Sequence, residues 1–385
     1  EEPFGTLRYG SHIAVAPSIG ALDGEGRLDR VDWVPSIGMA VFSGAAPATP
    51  ADKELDDFVL GAIPGTPMQL TGDFVNQLES HTAVLGTTGS GKTEFAFDLL
   101  RHAIERDVKV ICIDLTSQYA PRLSDLSPTQ LTISDQQSKE LGDKLFAVET
   151  GTYGAPNEKK VLQEFAGKIR EEVEQALKSF LETDEQKLAL IELREIANTK
   201  ATLWITEMYL STLLRIAKEG PLKGKVLVVV EEAHTVMPEA SFLGLGDFDS
   251  KGTVAKITQL ALQGRKYGVG LLVLAQRTAT VSKSVLTQCN TIISFSCIDD
   301  TSIAFLRNVY GSAIAEGLPN LRRLRAVAHG PWVNSGLPVV FDVPFNEEKA
   351  KRKSWADHRE PYTDSSAVPL ASGAGEGASN GDLPF

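Results

Sequence analysis

The spacing of apolar residues along the chain predicts an α/β protein. Short, mostly apolar runs, which are typical of strands buried on both faces of a sheet, occupy 83–85, 108–115, 225–230, 270–275 and 290–297. Several of the stretches between these runs carry apolar residues three and four positions apart, the pattern of amphipathic helices. The alternation of strand and helix predicts a parallel sheet with helices packed on its faces.

The segment 157–218 has a different pattern. Its apolar residues follow helical spacing, and many positive and negative residues lie between them. We interpret it as a helical insertion in the α/β domain. Its charged faces are most simply solvated or in contact with another subunit.

Both ends of the chain differ from this central part. Residues 1–72 alternate short β-like pieces with turn residues, which predicts a small β-rich N-terminal module, and its 47–52 segment is the most linker-like. Residues 351–385 are rich in Gly, Ala and Ser without apolar periodicity, which predicts a disordered tail. The α/β domain is therefore expected at 73–350.

A glycine-rich segment, TAVLGTTGSGKT, includes the first of the apolar runs and opens a helical pattern. Gly86, Gly89 and Gly91 let the backbone amides close around a phosphate group, where a Cβ atom would block the approach. The helix that begins at Lys92 adds its positive end, Lys92 reaches the β- and γ-phosphates of ATP, and the Thr93 hydroxyl is placed to bind Mg²⁺. The predicted nucleotide-binding residues are Gly86, Thr88, Gly89, Ser90, Gly91, Lys92, Thr93 and Glu94.

The composition is that of a globular protein without an extended basic surface. The 385 residues are 42% hydrophobic and 23% charged, which allows a large core. The net charge of −12 restricts any nucleic-acid contact to a local strip. No apolar run approaches bilayer length and the first residues lack a signal-peptide pattern, so we expect no membrane contact and a cytoplasmic location. Cys112, Cys289 and Cys297 lie without metal-type spacing and are predicted to be reduced core residues.

Two acidic residues follow the apolar run 225–230. Adjacent residues on an extended strand point in opposite directions, so Glu231 and Glu232 cannot do the same work. We assign Glu231 to the Mg²⁺ side, together with Thr93, and Glu232 to the general base that activates the attacking water. The alternative is a pair of solvated acids at a strand end.

Polar residues also end two other runs. Gln276 follows 270–275 and could sense the γ-phosphate through a hydrogen bond. Arg265 and Arg277 are candidates for an arginine finger, although arginines near helix ends are common on protein surfaces. Asp114 could orient a water or a metal ion, or cap a loop. His81, which precedes the glycine-rich segment, is interpreted as a structural histidine.

The ordered set HTAVLGTTGSGKT, VICIDLTSQY, VLVVVEEAH, GRKYGVGLLVLAQR and CNTIISFSC resembles the HerA branch of the HerA–FtsK ATPases over residues 70–345. This resemblance implies a RecA-like P-loop NTPase core, an N-terminal β-barrel, a ring of six subunits, and ATP-driven translocation on double-stranded DNA beside a nuclease or a phage-defence effector. It also implies that Arg265 is the finger acting on a neighbour's ATP. Two departures are Glu231, where the family has aspartate, and Gln118, where it usually has an acid.

Three functions are compatible with this set of residues. The first is a hexameric Mg²⁺-dependent ATPase that moves double-stranded DNA. The second is an ATP-dependent ring that gates a partner enzyme with little translocation, and the third is a motor for protein or conjugative DNA transfer, disfavoured by the absence of a visible membrane anchor. The tip Asp382-Leu383-Pro384-Phe385 resembles the acidic tip of bacterial single-stranded-DNA-binding proteins, and could contact a repair protein.

Overall fold

The structure is a computed structural model. It describes residues 21–22, 28–29, 58–66, 68–151, 155–193, 199–239 and 248–344, with the backbone alone at 21–22, 28–29 and 248–250. The barrel predicted within 1–72 and the tail predicted at 351–385 therefore lie largely or wholly outside the described residues. None of the described helices combines the length and the apolar character that crossing a bilayer requires.

Eleven of the described strands form one mixed sheet in the order β4-β3-β13-β12-β11-β5-β10-β9-β6-β8-β7, and β1 and β2 pair separately. The strands from β11 to β7 are parallel, and those from β12 to β4 are antiparallel. The strands are β1 Ala21–Leu22, β2 Leu28–Asp29, β3 Phe58–Ala62, β4 Gln69–Gly72, β5 Thr82–Leu85, β6 Lys109–Asp114, β7 Thr129–Gln130, β8 Leu188–Glu192, β9 Val226–Val230, β10 Val269–Ala275, β11 Thr291–Ser294, β12 Arg325–His329 and β13 Val339–Asp342.

Helices cover the sheet on both faces. Those of the described residues are α1 Lys92–Glu105, α2 Tyr119–Arg122, α3 Asp135–Thr150, α4 Pro156–Glu182, α5 Thr199–Glu219, α6 Ala233–Val236, α7 Phe248–Gln263, α8 Lys283–Leu286, α9 Asp300–Tyr310 and α10 Ser312–Ala315. One hydrophobic core joins the sheet to α3, α4, α5 and α7, and a second joins it to α1 and the antiparallel strands.

The central parallel strands confirm the α/β fold read from the apolar runs. Every residue of β5, β6, β9, β10 and β11 is buried, as expected for strands with helices on both faces. The predicted reduced core cysteines are also confirmed, because Cys112, Cys289 and Cys297 are buried and unpaired.

The segment interpreted as a helical insertion is not helical throughout. It contains α4 and α5, but β8 lies between them and pairs with β6 and β7 in the central sheet. The first four of its five residues, 188–191, are buried. Charged residues on both sides of so short a run concealed it within the helical periodicity.

The boundary placed between residues 72 and 73 does not separate two sheets. β3 pairs with β4 and also with β13, through Ala62 and Asp342, and so extends the central sheet. Phe58 and Leu60 are buried in the same core as α1. The last strands of the predicted N-terminal module therefore belong structurally to the α/β domain.

His81 is a structural residue, as the sequence suggested. Its Nδ1 accepts a hydrogen bond from the Leu271 N–H at 3.1 Å, so Nε2 carries the proton and donates to the Ala261 carbonyl at 2.9 Å. The side chain thereby joins the start of β5 to α7 and β10. Burial lowers the pKa of His81, which favours this neutral form.

Candidate nucleotide-binding site

The P-loop, residues 86–93, lies at the carboxyl ends of β5, β10 and β11. The Gly86 N–H donates to the Ala275 carbonyl at 3.2 Å, and the Thr87 N–H donates to the Ser296 carbonyl at 2.8 Å. Parallel strands bring their carboxyl ends to one edge, where open α/β sheets bind ligands. The loop is thus attached to both strands that flank β5.

Two glycines of the P-loop are required by close contacts. A Cβ atom on Gly86 would lie 2.7 Å from Phe295 Cβ, and one on Gly91 would lie 2.8 Å from Leu324 Cδ2. Gly89, with φ 75°, has instead no neighbouring atom within 4 Å of that position. The loop is therefore packed against the protein at its two ends and open in the middle, an arrangement that accommodates a phosphate chain.

Lys92 lies at the base of this cradle. Its Nζ donates to the Thr87 carbonyl at 3.0 Å, and the same carbonyl accepts from Ser90 Oγ at 2.7 Å. Burial lowers the pKa of the Lys92 ammonium, and the negative charges of Glu231 and Glu232 oppose that shift. The ammonium is thus held close to the P-loop backbone, as phosphate binding requires.

Glu231 and Thr93 face each other across a narrow gap. Thr93 Oγ1 and Glu231 Oε1 are 3.5 Å apart, beyond the usual length of an O–H···O hydrogen bond. Burial raises the pKa of Glu231 to about 7, against the hydrogen bond from Tyr119 and the charge of Lys92. Among the described residues no group of three or more His, Cys, Asp or Glu could hold a metal ion. The pair fits Mg²⁺ bound partly by nucleotide phosphates.

Glu232 has a different environment from its neighbour. Its backbone is left-handed, with φ 47°, a conformation that is uncommon outside glycine. Gln276 Nε2 donates to its Oε1, and His234 Nδ1 lies 3.2 Å from its Oε2 without the alignment of a hydrogen bond. Burial by itself raises the pKa of Glu232, but the contacts with His234 and Gln276 outweigh it and lower that pKa.

Gln276 connects the P-loop to Glu232. Thr88 Oγ1 donates to Gln276 Oε1 at 2.9 Å, while the amide nitrogen of Gln276 donates to Glu232. A side chain of the phosphate-binding loop is thus joined through one amide to the predicted general base. This arrangement can transmit the presence of a γ-phosphate to Glu232.

The two candidate arginines lie at opposite edges of the sheet. Arg277 directly follows Gln276 and is exposed at the carboxyl edge. Arg265 is exposed in a 3₁₀ turn that precedes β10, at the amino edge. The seven residues of β10 separate the two edges by about 23 Å at roughly 3.3 Å per residue. Arg265 is therefore remote from the P-loop of its own chain.

Asp114 caps the loop that follows β6. Its Oδ1 accepts from the backbone N–H and the hydroxyl of Thr116, both at 2.7 Å, and its Oδ2 accepts from the Tyr119 N–H at 2.9 Å. The side chain is fully buried. Of the two roles left open by the sequence, the structure supports loop capping.

The carboxylate of Glu94 contacts protein. Both of its oxygens lie 2.6 Å from Arg122 Nη2, and the Arg122 guanidinium lies 4.4 Å from the centre of the Phe97 ring. The carboxylate of Glu94 is thus paired with Arg122, and its predicted contact with a nucleotide stays a prediction.

Two residues beside the site were missed by sequence reasoning. Tyr119 donates its O–H to Glu231 Oε2 at 2.8 Å, and burial raises the pKa of this phenol well above its usual value. Leu324, with φ 63°, donates its backbone N–H to the Ser90 carbonyl at 2.9 Å. The polar loop after the second predicted strand was the only signal for Tyr119, and the sequence offered none for Leu324.

Comparison with known proteins identifies similar sequences. The family described as "Helicase HerA, central domain" matches residues 59–223. The chain is 28% identical over 156 residues to the DNA double-strand break repair helicase HerA of Sulfurisphaera tokodaii, covering 38% of this chain and 29% of that protein. It is 32% identical over 123 residues to a probable helicase of Methanocaldococcus jannaschii, covering 31% of this chain and 22% of that protein. The chain thus spans less than a third of these two relatives.

Among solved structures, VirB4 of Thermoanaerobacter pseudethanolicus has the same fold. The TM-score is 0.53 at 15% sequence identity, and the match covers 80% of this chain and 100% of that chain. The similarity therefore extends beyond the part of the chain that matches the sequence family.

Proposed function

Because the chain belongs to the HerA–FtsK superfamily of P-loop NTPases, we propose that it is a Mg²⁺-dependent ATPase that assembles as a ring of six copies and moves double-stranded DNA through the centre. The observation that carries this proposal is that the P-loop lies beside two acids in different environments. Thr88 reaches Glu232 through Gln276, and Thr93 faces Glu231. The names of the helicase relatives support DNA as the substrate.

The residues divide the hydrolysis of ATP between them. Lys92 and the P-loop amides hold the β- and γ-phosphates. Thr93 and Glu231 would hold Mg²⁺, which would neutralise charge on these phosphates. Glu232 accepts the proton of the attacking water, and its Oε2 has no aligned hydrogen-bond donor among the described residues. Gln276 fixes the position of Glu232 relative to the γ-phosphate.

The location of Arg265 favours a site completed by a second copy of the chain. Its exposed position at the amino edge lets it act only on the nucleotide of a neighbour. Repeated head-to-tail contacts of that kind form a ring when the rotation between copies closes, as it does for the six copies proposed here. Arg277, at the carboxyl edge, is the alternative finger.

The partners of such a motor are also proposals. A nuclease or defence effector would use the movement of DNA, and the repair function in the name of one relative agrees with a nuclease. The tip 382–385, proposed to bind a repair protein, lies outside the described residues. With a net charge of −12, the contact with DNA phosphates is confined to a local strip, which we place in the lumen of the ring.

The same net charge favours a second candidate, a ring that gates a partner enzyme according to its nucleotide state. Steady-state ATP hydrolysis with and without linear double-stranded DNA, over a series of salt concentrations, separates the two candidates. The motor predicts stimulation by DNA that decreases steeply as salt increases. Hydrolysis that is indifferent to DNA at every salt concentration would leave only the gating ring.

Two variants complete this experiment. Glu232→Gln should abolish hydrolysis, because the amide cannot accept the proton of water. Glu185→Gln is the matched control, since Glu185 is exposed just before β8, at the amino edge of the sheet. If Glu185→Gln also lost activity, the loss in Glu232→Gln would be due to a change in net charge or in folding and not to removal of the proposed base.

A further inference from the structure

Tyr119 is held in place at three points. Its O–H donates to Glu231 Oε2 at 2.8 Å, its backbone N–H donates to Asp114 Oδ2 at 2.9 Å, and its ring packs edge-on against Phe97 with 4.9 Å between ring centres. The residue is fully buried. Because Phe97 belongs to α1 and Asp114 to β6, the phenol oxygen has a fixed position relative to the P-loop helix.

Glu231, which accepts the hydrogen bond of Tyr119, has a flexible side chain that a fixed donor can orient. Glutamate has one more rotatable bond than aspartate, so the carboxylate of Glu231 can adopt more positions at the end of β9. Its two oxygens are used differently, since Oε2 accepts from Tyr119 while Oε1 lies 3.5 Å from Thr93 Oγ1. The phenol therefore holds one oxygen of the carboxylate and leaves the other facing the gap beside Thr93.

We propose that Tyr119 is a positioning residue that directs Oε1 of Glu231 toward the Mg²⁺ of bound Mg·ATP, an inference that rests on the proposed function. Tyr119 itself touches neither the nucleotide nor the metal ion. It compensates for the longer side chain at position 231 by anchoring the oxygen that does not face Thr93.

The Tyr119→Phe variant tests the hydrogen bond alone. Phenylalanine keeps the contact with Phe97 and the backbone hydrogen bond to Asp114. The readout is binding of a fluorescent ATP analogue, titrated with Mg²⁺ and compared with binding in EDTA. We expect the apparent Mg²⁺ affinity to fall about 10-fold, close to the lower end of the range for hydrogen bonds to charged groups, while binding in EDTA stays unchanged.

The same Tyr119→Phe substitution is then made in the Glu231→Asp variant, and the comparison shows whether its effect depends on the hydrogen bond to Glu231. Removing one methylene withdraws the carboxylate by about 1.5 Å, so it no longer reaches the Tyr119 hydroxyl. Tyr119→Phe should then change the Mg²⁺ affinity by less than about 2-fold, because the hydrogen bond is already absent. An equal loss in both backgrounds, or no loss in the Glu231 background, would overturn the proposal.

Tyr310→Phe is the matched control. Tyr310 is also a buried phenol, and its hydroxyl lies within hydrogen-bonding distance of two carbonyls, those of Ile292 at 3.1 Å and Val327 at 3.2 Å. This variant should leave the Mg²⁺ titration unchanged, and thermal unfolding should show that both variants are folded. Because the readout is binding, a wild-type protein that binds Mg·ATP without moving DNA would contradict the proposed function and leave the role of Tyr119 intact.

Discussion

Glu231 and Glu232 are neighbours in the chain with opposite electrostatic environments. Burial raises the pKa of Glu231 to about 7, and contacts with His234 and Gln276 lower that of Glu232 despite its own burial. A base near a phosphate chain must be ionised to accept a proton. The lowered pKa agrees with Glu232 as that base.

Gln276→Ala should reduce kcat about 100-fold and change the KM for ATP little. A loss of this size is seen when one positioned hydrogen-bond donor is removed from an active site. The reason is that Gln276 holds Glu232, whereas Lys92, the predicted phosphate-binding side chain, is held by the Thr87 carbonyl. Gln186→Ala is the control, because Gln186 has an exposed side chain just before β8, at the amino edge of the sheet. A rise in KM without a fall in kcat would contradict this role.

The apolar runs and the glycine-rich loop predicted which side chains would meet. Lys92, Thr93, Glu231 and Gln276 all follow buried strands, and parallel strands bring their ends to one edge. Tyr119 could not be predicted in the same way, because its contact with Glu231 depends on how a short helix turns back after β6. Local sequence pattern does not encode such a turn.

At the scale of elements, the start of β5 depends on a neutral histidine. Burial lowers the pKa of His81 below 6.5, the nearby charge of Arg265 lowers it further, and the Ala261 carbonyl and Glu79 oppose this. The unfolded chain therefore binds a proton before the folded chain does. The contribution of His81 to stability is complete above pH 6.5 and decreases as the pH falls below it, by up to about 1.4 kcal/mol per pH unit.

Urea unfolding between pH 7.5 and 5 measures this effect. We expect the free energy of unfolding to decrease less steeply for His81→Gln than for the wild type as the pH falls below 6.5. At pH 7.5 the variant should be less stable, because glutamine does not reproduce the two hydrogen bonds of the imidazole. Parallel pH profiles for the two proteins would show that His81 is not the titrating group.

An ionic contact joins three helices on one face of the sheet. Glu207 of α5 is only 7% exposed and lies 2.6 Å from Arg170 of α4 and 3.9 Å from Lys256 of α7. We expect Glu207→Ala to lower the free energy of unfolding by about 1–2 kcal/mol, less than for a fully buried pair because Arg170 is 37% exposed and can regain water. Chemical denaturation provides the measurement.

The exposed residue Glu164 on α4 is the control for this variant. It lies 4.0 Å from Lys160, with both side chains mostly exposed, so Glu164→Ala should change stability by less than about 0.5 kcal/mol. Equal losses in the two variants would mean that the loss of Glu207 acts through helix propensity and not through the ion pair.

Elements with uniform patterns could be predicted from the sequence, and short elements in mixed surroundings could not. β9 and β10 are continuous apolar runs with turn residues at their ends. β8 is surrounded by charged helices, and β3 is separated from its partner β13 by most of the chain. Pairing over that distance is decided by tertiary packing, which a local window does not contain.

At the scale of the whole molecule, the sheet separates the P-loop from Arg265. The P-loop lies at the carboxyl edge and Arg265 at the amino edge, so a complete site requires two chains if Arg265 is the finger. The sequence alone left Arg265 and Arg277 as equal candidates by chemistry. The direction of β10 distinguishes them. It places Arg277 next to Gln276, the predicted sensor, and it places Arg265 at the opposite end of the strand, from which it would reach only the nucleotide of a neighbouring chain.

Mixing two inactive variants tests this arrangement. Lys92→Ala removes the phosphate contact and Arg265→Ala removes the finger, so each protein alone should hydrolyse ATP very slowly. In a ring formed from an equal mixture, about a quarter of the interfaces would combine an intact P-loop with an intact finger. We expect the mixture to regain ATP hydrolysis in a steady-state assay, and no recovery would exclude Arg265 as a finger supplied by a neighbour.

The most direct test of the central claim is displacement of a third strand from a linear double-stranded DNA by the purified protein. If the protein moves along the duplex, it should release the third strand. This release should require ATP and Mg²⁺, be lost in Glu232→Gln, and weaken as salt increases. Hydrolysis of ATP by the wild-type protein without release of the third strand, at salt concentrations where it binds DNA, would contradict the motor.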